Sequence, residues 1–330
     1  MANDTIPTLL YGDRKLAAGL SVGGCLIISI ATCLQKAAHL KSDVGHLAFL
    51  RSHLWWSGTV LLFVGETASF CAYAFSTVAF LTPIPAISIV VSTMLLLFFK
   101  MDYLHWTHAL GMAAAVSGVC LVVVFAPSFD HQLITGEYIV SRFLSWDVIV
   151  YLILEVQALC ILLYIYHKKI YQHYAVILLL VAILGSVTAF CTRGVMALIL
   201  LSAMGDMQLT HSMFYILLIC LFASVFFQAD FLQQAAEMFG PCRLVAGSYI
   251  SITVSSVLAG EVFYHEFNSS SILHILLFIL GCLLCFSGVL LVTWERRKAQ
   301  ELLPFTTSGA IQGVCPPLDV LQMAEVQQVT

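Results

Sequence analysis

The chain has 330 residues, 61% of them hydrophobic and 10% charged, with a formal net charge of −4 and a mean hydropathy of +0.98. A water-soluble domain is about half apolar and a quarter charged, so this composition excludes a soluble enzyme, a nucleic-acid binder and a disordered scaffold. The net charge is too small to require a charged partner; what the composition requires is a lipid bilayer.

A helix that crosses the hydrocarbon core needs about 20 apolar residues. Nine runs qualify in chain order: 16–34, 55–75, 79–99, 106–126, 148–166, 175–200, 212–232, 243–264 and 272–294. Open strands cannot cross lipid with their backbone groups unpaired, so each run is expected to be a helix. The first is too long for a signal peptide and lacks a clear cleavage site, and it reads as an uncleaved span. Trp55, Trp56, Trp106 and Trp146 open spans and Trp294 closes the last, where an interfacial aromatic belt belongs. Ten of the eleven cysteines lie in or beside apolar runs, where they act as small hydrophobes. Cys282 and Cys285 form a C-x-x-C inside a continuous apolar stretch, and no disulfide framework is legible.

With the N-terminus outside, the inner segments carry ten Lys and Arg residues and the outer ones three, Arg14, Lys15 and Arg142, which favours that orientation. The expected organisation is an extracellular segment 1–15, a first half 16–126 with four spans, an extracellular linker 127–147, a second half 148–294 with five spans, and a disordered cytoplasmic tail 295–330.

The two halves carry related motifs. Residues 88–95 read SIVVSTML and residues 251–258 read SITVSSVL, identical at five of eight positions. Residues 110–124, LGMAAAVSGVCLVVV, match residues 280–294, LGCLLCFSGVLLVTW, at Leu-Gly, at Ser-Gly-Val and at the following Leu-Val. Spans two to four therefore resemble spans seven to nine, and the five crossings between them invert one copy across the membrane plane. Inverted repeats with a midplane site between them are the architecture of many secondary transporters. Thr82-Pro83-Ile84-Pro85 interrupts span three and Gly240-Pro241 precedes span eight. Proline frees carbonyls that lipid tolerates only where protein or a cavity satisfies them again.

An ionisable side chain at mid-bilayer costs about 2.5–3.5 kcal/mol on insertion scales and needs a partner or water. Glu66 lies about eleven residues into span two, roughly 17 Å at 1.5 Å per residue, and is the leading cation ligand. Asp230, with Gln228, Gln233 and Gln234, makes an oxygen-rich stretch on the repeat-equivalent span. Glu155 and Arg193 fall on adjacent spans and can neutralise each other; Glu261 and Glu266 are expected on a solvated outer rim. The expected pathway is lined by Glu66, Tyr73, Ser88, Ser92, Arg193, Gln228, Asp230, Tyr249, Ser251 and Thr253, with Glu66 and Asp230 as metal ligands. No phosphate-binding glycine loop, nucleophile elbow or zincin helix is present in the sequence, so an enzyme is not expected.

Several of these residues form ordered motifs: Trp55-Trp56-x-Gly58, Gly65-Glu66-x-x-x-Phe70-x-Ala72-Tyr73, Leu81-Thr82-Pro83 and Leu34-Gln35-Lys36. In the second half come Gly185-Ser186-x-Thr188, Thr192-Arg193-Gly194, Leu232-Gln233-Gln234-Ala235 with Phe239, and Tyr249 to Thr253. Together they resemble the signature of the NIPA family of magnesium transporters, within the drug/metabolite transporter superfamily. The chain departs at Pro83-Ile84-Pro85-Ala86, where the family has Pro-Leu-Gly-Ala, at Lys100-Met101-Asp102, at Ser69 and at Arg193 in place of a lysine, so it resembles a divergent member. The resemblance implies an all-α integral membrane fold with nine spans, no cofactor, and transport of Mg²⁺ or another divalent cation at the plasma membrane or early endosomes. A Mg²⁺ ion keeps several waters and is usually held by one or two carboxylates, which suits a polar cavity with Glu66. The alternatives are a carrier of a small organic solute with the same fold and a non-transporting membrane regulator.

Overall fold

A computed structural model describes residues 14–41, 52–98, 106–127, 134–168, 174–205, 209–268 and 271–301. The expectations for residues 1–13, for Lys100, Met101 and Asp102, and for 302–330 lie outside the described residues. Every element among the described residues is helical: α1 Arg14–Lys41, α2 His53–Ala72, α3 Val78–Leu81, α4 Ala86–Phe98, α5 Trp106–Phe125, α6 Gly136–Phe143, α7 Trp146–His167, α8 Tyr174–Ala203, α9 Ser212–Phe239, α10 Pro241–Tyr264 and α11 Ile272–Glu301.

Among the described residues, eight stretches are long and apolar enough to cross a membrane: α1, α3 with α4, α5, and α7 to α11. The remaining expected span is α2, a helix of 20 residues whose apolar character is diluted by Ser57, Thr59, Glu66, Thr67 and Ser69. The break in span three appears where the prolines stand. The α3 helix stops at Leu81, and α4 resumes at Ala86. Gly240 is a one-residue turn between α9 and α10, with φ +82°, a conformation that glycine adopts without strain. The linker contains α6, whose N-terminus is capped by the Thr135 hydroxyl accepting from the Tyr138 amide, with Glu137 in its first turn and Arg142 in its last. Both charges oppose the helix dipole.

The helices pack in matching sets. The long α1 packs on α2 and on α4; α8 packs on α9 and on α10; α5 and α11 pack on each other. The α5–α11 contact joins the glycines of the two Leu-Gly and Ser-Gly-Val motifs. A Cβ on Gly118 would stand 2.7 Å from the Gly281 carbonyl and 2.6 Å from the Cys285 nitrogen, and one on Gly288 would stand 2.7 Å from the Gly111 carbonyl. Gly111 thus meets Gly288 while Gly118 meets Gly281, so the helices run antiparallel. Small residues let membrane helices approach to backbone contact. The α7 helix is peripheral: it buries Val148 and Glu155 and leaves Val150, Ile153, Leu154, Val156 and Ile161 exposed, as a lipid-facing helix requires.

Even a methyl group has no room at Gly118. Gly118→Ala is expected to destabilise the protein by about 1–3 kcal/mol, the usual cost of overpacking. Thermal unfolding of the detergent-purified protein reads this, with Gly19→Ala, where nothing lies within 4 Å, as the neutral control.

Candidate functional site

Glu66 is positioned by its neighbour. Gly65 lies against α1, within close range of the Gly24 carbonyl and Ile28, and the next residue points about 100° away around the helix. Glu66 therefore shares a face with Thr59, Leu62, Phe70 and Tyr73. That face turns toward α8, because Phe70 packs against the cluster containing Phe190 and Val195 and the Tyr73 carbonyl accepts from Arg193. The Glu66 carboxylate is exposed and makes no hydrogen bond or ion pair with another described residue. Among the described residues, no three His, Cys, Asp or Glu side chains converge on a common point.

The Thr82–Pro85 break forms the next part of the site. Backbone bonding tightens here to i+3: Ala86 N donates to Pro83 O, Ile87 N to Ile84 O and Ser88 N to Pro85 O. Side chains from two other helices complete the acceptors. From α10, the Tyr249 hydroxyl donates to Pro83 O at 2.9 Å and the Thr253 hydroxyl approaches Thr82 O at 3.5 Å. From α1, the Cys25 thiol reaches Ile84 O at 3.9 Å, and the Ser29 hydroxyl stands 3.0 Å from Ser88 O and 3.3 Å from Ser88 Oγ. Tyr249, Thr253 and Ser88 are thus brought together around one break in the chain. Ser92 and Ser251, both half-buried, donate to carbonyls of their own helices, Ile89 and Ser248.

Between α8 and α9 the Thr188 hydroxyl stands 3.0 Å from Ser224 Oγ and 3.1 Å from Gln228 Oε1, so Gln228 faces α8. Asp230 does not join it. Two residues on, it lies on the opposite face of α9, exposed, accepting from the Gln234 amide at 2.8 Å. The structure therefore does not bring Asp230 to Glu66.

Arg193 is 1% exposed and donates to the Tyr73 carbonyl. Beside it lies a residue for which the sequence suggested a solvated rim. Glu266 is 6% exposed, and its carboxylate accepts the Val78 amide at 2.6 Å and the Ala79 amide at 2.8 Å, capping the start of α3 from the far half of the chain. Burial pushes its carboxyl up to about 7, against the pull of those two amides and of the Arg193 charge; the Glu261 charge adds to the rise. Glu261 itself accepts the Phe267 amide at 2.8 Å. A glutamate just beyond a helix end reads alike in sequence whether it meets water or a neighbouring helix terminus, and no local signal marked it. The expected Glu155–Arg193 neutralisation is replaced as well: the Glu155 Oε1 accepts the Tyr151 hydroxyl and lies against that of Ser186, and Ser186 lies about two helical turns from Arg193 on α8.

The family described as Magnesium transporter NIPA matches residues 13–298. NIPA-like protein 2 of Homo sapiens is 36% identical over 296 residues, covering 89% of this chain and 77% of that protein. NIPA-like protein 2 of Mus musculus is 37% identical over 301 residues, with the same coverages of 89% and 77%. Magnesium transporter NIPA4 of Mus musculus is 24% identical over 286 residues, covering 84% of this chain and 70% of that protein. No solved structure gives a significant match.

The raised Glu266 carboxyl has a definite sign in the stability profile. Folded, it holds its proton to about 7, against 4.5 for the free group, so the folded state binds more protons between those values and loses stability as pH rises through that window. Glu266→Gln cannot titrate and is expected to flatten this part of the profile. Thermal unfolding of the detergent-purified protein at a series of pH values checks it; an unchanged slope would show that Glu266 titrates normally.

Proposed function

The chain belongs to the NIPA magnesium transporter family, and from that membership we propose that it carries Mg²⁺ across a membrane as a multi-pass transporter. The observation that supports the site is the exposed Glu66 carboxylate on α2, which makes no hydrogen bond or ion pair with another described residue; with α2 taken as a ninth span, an ionised group there requires water or a cation. Mg²⁺ gives up its waters reluctantly and is usually held by one or two carboxylates with waters retained. One carboxylate beside hydroxyl-bearing faces fits such a partly hydrated ion. Glu66 is the coordinating group in this reading, Tyr73, Ser88, Ser92, Gln228, Tyr249, Ser251 and Thr253 line the pathway, and Asp230, on the far face of α9, lies outside it.

Alternating access follows if the halves are inverted copies. Counting α2 as a span gives nine, and α1, α2, α3 with α4, and α5 then correspond to α8, α9, α10 and α11. The matched packing of those sets and the reciprocal glycine contacts between α5 and α11 support this reading, as does the drug/metabolite transporter-like architecture that the sequence motifs resemble. The Lys and Arg distribution supports an outside N-terminus, and the family likeness a location at the plasma membrane or early endosomes. In that orientation Glu266, Arg193 and Tyr73 close the outer end. The competing organic-solute reading, for an anionic solute, needs a reachable cation, and the Arg193 guanidinium is 1% exposed.

Uptake of isotopic Mg²⁺ into proteoliposomes tests the proposal. Wild type is expected to exceed empty vesicles, and Glu66→Gln to lose about tenfold or more, equivalent to at least ~1.4 kcal/mol, while eluting as a folded monodisperse protein. Equal rates would remove Glu66 as the ligand; wild-type uptake at the background level would remove Mg²⁺ as the substrate.

A further inference from the structure

Glu155 stands apart from the Glu66 pathway. It lies in the middle of α7, is 9% exposed and points at α8 from a helix that otherwise faces outward. Its two oxygens are treated differently. Oε1 accepts the Tyr151 hydroxyl at 3.2 Å and lies against the Ser186 hydroxyl of α8, whose single proton also has the Ile183 carbonyl as an acceptor at 2.6 Å, whereas Oε2 is buried and has no hydrogen-bond partner among the described residues. The titratable groups facing it are Tyr151 on its own helix and Cys191 on α8. The charged groups of the neighbouring elements are engaged elsewhere. Arg193 donates to the Tyr73 carbonyl. Arg142 of α6 lies 3.4 Å from Asp147 and donates to the carbonyls of Val262 and Phe263, and Glu261 of α10 accepts the Phe267 amide.

A helix pin alone would not need a carboxyl group here. A buried carboxyl group with one oxygen held by neighbouring hydroxyls and the other unoccupied, and with no cation against it, offers a position that a proton can fill. Oε2 has no room demand beyond a single hydrogen, whereas a sodium ion would require several oxygens and a cavity. We infer that Glu155 is a proton-binding site, separate from the Glu66 pathway, whose occupancy couples transport to a proton gradient. The coupling half of this inference rests on the Mg²⁺ transport reading; the proton site does not. The step is the addition of one proton to the free Oε2 of the carboxylate, giving the acid, and its release on the other side of the cycle; no other bond is made or broken. The connection to the pathway is short. Ser186 is flanked on α8 by the Ala182 and Gly185 carbonyls, which take the Ser255 and Ser256 hydroxyls of α10 at 2.7 and 3.4 Å, and by Thr188 at Gln228.

Two measurements on the full chain in liposomes test this. In the first, infrared difference spectra are recorded between acid and alkaline pH. Wild type is expected to show a protonated-carboxyl carbonyl band that Glu155→Gln lacks and that Ser186→Ala shifts, since the band reports the hydrogen bonds on that carboxyl. The glutamine keeps an acceptor oxygen for both hydroxyls, and a monodisperse elution profile of the variant checks that it folds. A band unaltered by both substitutions overturns the proton site. In the second, Mg²⁺ uptake is compared with and without an imposed pH difference. The wild-type rate is expected to change several-fold, and the Glu155→Gln rate to be the same in both conditions whatever its absolute size. A wild type indifferent to the pH difference, or a variant that responds as wild type does, overturns the coupling. If wild type moves no Mg²⁺ at all, the transport reading fails and the coupling with it, and the infrared band decides the proton site by itself.

Discussion

Two prolines two residues apart cannot lie in a helix that crosses lipid unless other helices supply what the backbone has lost. That constraint organises this protein. The 3₁₀-like turns at residues 82–85 recover part of the bonding, and the remainder comes from Tyr249 and Thr253 on one side and Cys25 and Ser29 on the other. A hydroxyl or thiol is small enough to approach a carbonyl between packed helices, and in hydrocarbon an unmet carbonyl costs several kcal/mol. The same residues therefore pin the break between their helices, and Tyr249 and Thr253 tie the second half of the chain to the first.

The charges at the Glu266 end follow a related rule. Arg14 donates to the carbonyls of Val123 and Ala126, the last turn of α5 and the residue after it. Arg142 does the same for Val262 and Phe263 near the end of α10, and Glu266 takes the first amides of α3. Cations at helix C-termini and a carboxyl group at an N-terminus each meet the exposed end of a helix dipole. These polar side chains are engaged by backbone ends, which leaves Glu66, within α2, as a carboxylate with no such engagement.

Much of this was legible in the chain itself because the bilayer restricts the choices. Apolar runs of sufficient length became helices, the tryptophans marked their ends, and the proline pair broke span three where it stands. The Leu-Gly and Ser-Gly-Val motifs, visible as a repeat, proved to be the glycines on which α5 and α11 cross. What was not legible was tertiary register. Nothing in the residues around Glu266 announces that an amide pair from position 78 onward lies over it, and adjacency of spans did not decide whether Glu155 would meet Arg193 or Ser186. Asp230 is a different case. Its spacing of two from Gln228 is about 200° of helix rotation, so the opposite faces were implicit, and the oxygen-rich composition of the segment concealed them. The α6 helix lay within a linker whose polar residues gave no periodic signal long enough to stand out.

The α5–α11 crossing limits how the halves can move. Backbone lies against backbone at both Gly118–Gly281 and Gly111–Gly288, and on either side of these points the helices carry full side chains such as Leu291 and Val122. Sliding one helix along the other by a turn would drive a branched side chain into a space that does not hold a methyl group. The pair is therefore locked in register along its length, so a rearrangement that keeps these contacts must carry α5 and α11 together as one unit.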